Sequence, residues 1–123
     1  YRDASASFES QIVHWTNVQR RSHGLLPVRA GSCVDRYAES WVHHLAGTRS
    51  FHHQRLGPIL GGCGARVAGE NLAWGTASAR TTVARWMRSP GHRKNLLDGS
   101  FTRLGVGAAY AGGRRYTVQD FTG

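Results

Sequence analysis

A chain of 123 residues and 13.5 kDa has room for one domain with a single core, burying roughly two thirds of the unfolded surface, and for no second domain. Forty per cent apolar residues and four tryptophans describe a globular fold, and no apolar run nears the roughly 20 residues of a membrane span. A net charge of +9, from 16 Lys and Arg against seven Asp and Glu, raises nucleic acid, anionic envelope polymers and lipid headgroups as partners; yet 15 of the 16 are Arg, placed singly or in pairs such as Arg20-Arg21 and Arg114-Arg115, which reads as a solvated cationic surface with no specific nucleic-acid motif.

The chain opens at Tyr1 with no methionine or apolar leader, so a processed protein or a trimmed chain is expected, with any export signal out of view. Phe8, Ile12, Trp15 and Val18 recur at helical spacing over residues 7–21, with Ser7 as N-cap, Glu9 in the first turn, Arg20 and Arg21 in the last and Gly24 beyond. A second helix runs from Asp35 toward Gly47 on Val34, Tyr37 or Ala38, Trp41 and Leu45, with Gly47 as its stop. Cys33 and Cys63 lie 30 residues apart without C-x-x-C spacing, which leaves a disulfide, implying an extracytoplasmic home, or two free buried thiols.

Residues 48–69 turn to Gly, Arg and His and read as a long irregular connection, of the kind that is usually functional or pinned. Helical spacing returns over 76–88 with Val83, Trp86 and Met87; Ser89-Pro90 ends it and caps a short turn at 91–97, which His92 opens. Two strand-like runs then flank Ala111-Gly112-Gly113 as a terminal hairpin. Three helices, a histidine-rich loop and a late antiparallel hairpin predict an α+β fold.

Glu70 is the one acidic residue between Glu39 and Asp98, a stretch that holds seven arginines and one lysine. Placed on a G-E-N turn, it either pairs with an arginine or faces imidazoles. Of seven histidines, His14, His43 and His44 lie within helices, where partial burial with a hydrogen bond is the ordinary case, and His23 sits at a helix C-terminus, where it favours the dipole. His52, His53 and His92 lie on loops and turns, where side chains can converge on a cleft. Two histidines with one glutamate suit a zinc or other divalent site with an open position, although the spacing itself does not select that reading. H-E-x-x-H, G-x-S-x-G, the P-loop and C-x-x-C are all absent, which removes zincin, serine-hydrolase, nucleotide and thioredoxin chemistry.

Taken together, "FHH" at 51–53, "GENLAWG" at 69–75, "ARWMRSPGHRKNLLDGSFTRLGVG" at 84–107 and "YTVQDF" at 116–121 resemble the CAP superfamily, also called SCP-like, which holds the cysteine-rich secretory, antigen-five and pathogenesis-related proteins. The resemblance spans essentially the whole chain, 1–123, and is nearest the short bacterial form. It implies a three-layer α-β-α sandwich, a small antiparallel sheet flanked by helices, with a shallow cleft, in an exported protein expected to be a monomer. It places His53, with His52 its neighbour, Glu70 and His92 in that cleft as ligands for zinc or another divalent cation, with Asn71 on the cleft wall. The family's second cleft Glu has no counterpart, since Trp86 is followed by Met87, Arg88 and Ser89. The function so implied is a binding module taking a cation and an apolar, lipid or peptide ligand. A metal-dependent hydrolase or peptidase using His53, Glu70 and His92 is the alternative, and attraction to an anionic envelope surface is a third.

Overall fold

The computed structural model describes residues 2–123, with side chains from residue 6 onward. In chain order the elements are α1 (Arg2–Ser22), β1 (Arg29–Ala30), α2 (Ser32–Thr48), α3 (Gly57–Cys63), β2 (Ala68–Gly75), α4 (Ala79–Met87), α5 (Pro90–Leu96), β3 (Arg103–Ala111) and β4 (Arg114–Thr122). The strands form one sheet in the order β1-β3-β4-β2. Both β3–β4 and β4–β2 are antiparallel, and the two-residue β1 lies parallel to β3. Helices cover both faces, so the chain is an α+β sandwich of three layers.

Alternation along the strands divides the core. Leu104, Val106, Ala108 and Phe121 meet Phe8, Ile12, Val83 and Trp86 from α1 and α4 on one face. Leu72, Ala109, Tyr116 and Val118 meet Ala38, Val42 and Leu45 from α2 on the other. Gly105 and Gly107 let α2 approach closely: a Cβ on either would stand 2.5 Å from the Asp35 backbone or 2.6 Å from the Ala38 carbonyl, inside van der Waals contact. The β3–β4 hairpin turns at Gly112-Gly113, with φ of 60° and 74°, the left-handed pair that a two-residue turn between twisted strands requires.

Several elements depart from the sequence reading. The first helix begins at Arg2, ahead of the expected Ser7 cap. Gly47 lies inside α2, and Arg49, with φ 53°, is the left-handed cap that ends it. The 48–69 connection contains α3, of whose seven residues three are glycine, a poor helix former; it is held by the buried Ile59 and by a disulfide joining Cys63 to Cys33. G-E-N is no turn. It sits in β2, so strands do not come last. His14, His43 and His44 are exposed rather than partly buried, because each lies on the solvent face of its helix.

Arg20, 1% exposed, fixes the end of α5. Its guanidinium donates to the carbonyls of Leu26 at 2.8 Å, Leu96 and Asp98 at 2.9 Å each, and Phe101 at 3.2 Å. Burial pushes its pKa down, but four carbonyl acceptors keep the cation in place.

Candidate functional site

The site forms across the outer edge of β2, which has no strand beyond it. An open edge would recruit another chain, and here side chains close it. Trp86 donates its indole N–H to the Leu72 carbonyl at 3.0 Å, and Asn95 donates to the Glu70 carbonyl at 3.1 Å. These bonds dock α4 and α5 against the edge and bring His92 to it. Asn71, expected on the cleft wall, is fully buried; its amide donates to Gln119 Oε1 at 3.0 Å and to the His92 carbonyl at 3.3 Å, so it braces the α5 backbone from within.

Glu70 points the other way from Asn71, as strand alternation requires. Its side chain is 1% exposed and accepts from His53 Nδ1 at 2.8 Å, the imidazole itself remaining 60% exposed. Gln54 completes the shell, with its backbone N–H 3.2 Å from Oε1 and its side-chain amide 2.7 Å from Oε2. Glu70 therefore faces an imidazole and, among the described residues, pairs with no arginine. His52 lies elsewhere: its ring packs edge-on against Trp41 at 5.1 Å and its carbonyl accepts the Trp41 indole N–H.

Sequence reasoning missed the acid beneath. Asp120 is the cross-strand partner of Glu70 and fully buried. The Gln54 side-chain amide bridges the two acids, donating to Asp120 Oδ2 at 2.8 Å as well as to Glu70. Burial first, and the adjacent Glu70 second, push the Asp120 carboxyl up to about 10. At neutral pH Asp120 is held as the neutral acid, because burial beside a second carboxyl group disfavours its charged form. Its Oδ1 is the one buried side-chain oxygen or nitrogen without a partner among the described residues, consistent with an oxygen that carries a proton. The signal was present in YTVQDF, where alternation puts an acid on the same inward face as Tyr116 and Val118.

His92 approaches from the opposite side of β2. Its Nδ1 shares a hydrogen bond with Ser89 Oγ at 2.8 Å, and its ring lies over Trp86 with centroids 6.5 Å apart. Burial, then the neighbouring His53, hold its pKa below the usual histidine value. In both imidazoles Nδ1 is engaged, and among the described residues Nε2 has no hydrogen-bond partner. Beside His92 lies a hollow of about 230 Å³ walled by Leu72, Trp74, Trp86, Thr82 and Arg85.

A carboxylate on Nδ1 fixes the tautomer that leaves Nε2 as a lone-pair donor, the arrangement that orients metal-binding histidines. Both oxygens of Glu70 are already engaged. Among the described residues, no three of His, Cys, Asp and Glu are grouped as an ion would need. The available donors are thus two imidazole nitrogens, a set that suits a labile, largely water-ligated divalent ion and not a closed structural site.

Comparison with known proteins now decides the family. The profile of the cysteine-rich secretory protein family matches residues 13–121. The chain belongs to the CAP family. It is 32% identical to protein YkwD of Bacillus subtilis over 116 residues, 87% of this CAP chain and 44% of YkwD. Among solved structures it is similar to an extracellular protein containing an SCP domain from Bacillus anthracis, with 30% identity and a TM-score of 0.85 over 96% of this chain and 41% of that one. It also matches an outer surface protein of Borrelia burgdorferi at 18% identity and a TM-score of 0.80, covering 89% of this chain and 87% of the other, a likeness of fold. The CAP chain thus spans less than half the length of YkwD and of the Bacillus anthracis protein.

Proposed function

We propose that this CAP chain is an extracellular binding module whose cleft takes a divalent cation, zinc by preference, between the Nε2 atoms of His53 and His92, with a small apolar, lipid or peptide-like ligand in the hollow beside them. The observation that carries the reading is the orientation of the imidazoles. They come from opposite sides of an edge strand, each held through Nδ1, each with Nε2 unengaged. Borderline-soft ions prefer such nitrogens, and a cation held by two protein donors keeps positions open for a ligand. An extracellular setting is supported by the Cys33–Cys63 disulfide and by the Bacillus anthracis and Borrelia proteins described as extracellular and outer-surface.

The same geometry weighs against a hydrolase that uses Glu70 as general base. A base must be within hydrogen-bond reach of the proton it takes, and the Glu70 oxygens are buried and already accept from His53 and Gln54.

Calorimetric titration with zinc at pH 7 tests the reading. Wild type is expected to bind one equivalent, with affinity lost in both His53→Ala and His92→Ala and reduced in Glu70→Gln, whose amide no longer fixes the His53 tautomer. Equal affinity in wild type and both alanine variants rejects it.

A further inference from the structure

Trp74 and Phe51 are 54% and 53% exposed, a degree of exposure that large apolar rings adopt in bulk only at some cost. They are brought together. With Tyr116 and Arg49 they line one open hollow of about 350 Å³, separate from the hollow beside His92 and divided from it by Trp74. The Trp74 and Tyr116 rings lie 6.4 Å apart, and the Arg114 guanidinium stands 5.8 Å from the centroid of Trp74.

The charge around these rings is of one sign. No acidic residue among the described ones lines the hollow. Among the described residues, the contacts within 4 Å between a basic group and a carboxylate are both made by histidines, so neither Arg49 nor Arg114 has a carboxylate partner. Arg49 is also the one non-glycine residue with positive φ among the described residues. A helix cap in that conformation favours glycine or asparagine, and a long cation there is a departure that points to use of the side chain. Its guanidinium lies against Gly112 at the hairpin turn, on the same side as Arg114.

From this we infer a second binding site, at Arg49, Phe51, Trp74 and Arg114, for an anionic polysaccharide. The C–H faces of pyranose rings pack on exposed aromatic faces by dispersion and by attraction to the ring quadrupole. Carboxylate or sulfate groups along the same chain meet planar guanidinium forks, which pair with such oxyanions through two parallel hydrogen bonds. An acyl chain needs an enclosed apolar channel, whereas this hollow leaves its two principal rings half in water. The site is independent of the cation between His53 and His92.

The test measures binding of oligogalacturonate, dextran sulfate, neutral dextran, polyphosphate and oligo-dT to the intact chain as salt is raised. Oligogalacturonate, dextran sulfate or both are expected to bind, which also identifies the charged group preferred, and dextran and polyphosphate at least tenfold more weakly. Trp74→Ala should weaken the bound sugar about tenfold while Trp74→Phe restores most of it, and Arg49→Gln and Arg114→Gln should each lower the log–log salt slope by about one. Arg21→Gln, on the exposed far end of α1, removes the same charge and should leave the slope within half that change. Failure of both charged sugars to bind, equal affinity for polyphosphate or oligo-dT, or an unchanged affinity in Trp74→Ala overturns the inference.

Discussion

Replacing Asp120 by Asn should stabilise this protein, and by more as the pH rises. The carboxyl is fully buried and pushed up to about 10, while in the unfolded chain an Asp titrates near 4. Between those values the folded state holds a proton that the unfolded state has released. Stability must therefore fall as pH rises through that window. At pH 7 the unfolded group is about three units above its pKa, at about 1.4 kcal/mol per unit, which sets a ceiling near 4 kcal/mol. Relaxation around the buried group lowers that ceiling, so about 2–4 kcal/mol is expected. Asparagine keeps the geometry: its carbonyl still accepts from the Gln54 side-chain amide, which stands 2.8 Å from Asp120 Oδ2, and its NH₂ takes the place of Oδ1 without introducing a charge beside Glu70. Urea unfolding at intervals from pH 5 to 9 should show the variant's advantage growing by up to about 1.4 kcal/mol per pH unit. An advantage that is flat across this range, or a variant that is less stable at pH 8, would refute a protonated Asp120 in the folded protein.

Three further outcomes follow from the same structure. Arg20→Met removes the donor of four carbonyls, Leu26, Leu96, Asp98 and Phe101; denaturant melts should show a loss of about 3–5 kcal/mol, with amide exchange rising first around α5. Cys33→Ser with Cys63→Ser opens a loop of 30 residues and should lower stability by about 3–4 kcal/mol on the chain-entropy account, measured against reduced wild type as control. Zinc affinity should fall as pH drops below about 6.5, because protonated imidazole cannot ligate; His92, held low by burial, loses its lone pair at lower pH than a free histidine would.

The residues explain how far the sequence could be read. Helices α1, α2 and α4 were legible because their apolar residues recur at helical spacing, and the terminal hairpin because Gly112-Gly113 interrupts two alternating runs. β2 was not, since its inward positions carry Glu70 and Asn71, which match the composition of a turn; they are tolerated in a strand because His53, Gln54, Gln119 and Asn95 satisfy them. α3 was hidden by its glycines, and its stability is tertiary, from Ile59 and the disulfide. The ends of α2 depended on Arg49 adopting a conformation that sequence rules assign to the nearby Gly47. In the site, the His53–Glu70 contact is one of the two partners, arginine or imidazole, that the sequence left open for Glu70. Asp120 was missed because the search for a partner to Glu70 considered arginines and histidines. A second acid becomes acceptable only when burial keeps it protonated, which register and depth decide.

The central claim is that His53 and His92 present their Nε2 atoms to one cleft, His53 held there by Glu70. Long-range ¹⁵N–¹H correlation of the imidazoles at pH 7, with and without zinc, reads this directly. The account predicts His53 as the Nδ1–H tautomer before zinc is added, then a coordinated change at Nε2 of His53 and His92 together, with His14, His23, His43, His44 and His52 unmoved at one equivalent. Nε2–H at His53 in the free protein, or a zinc response confined to one of the pair or shared with the exposed histidines, would contradict it.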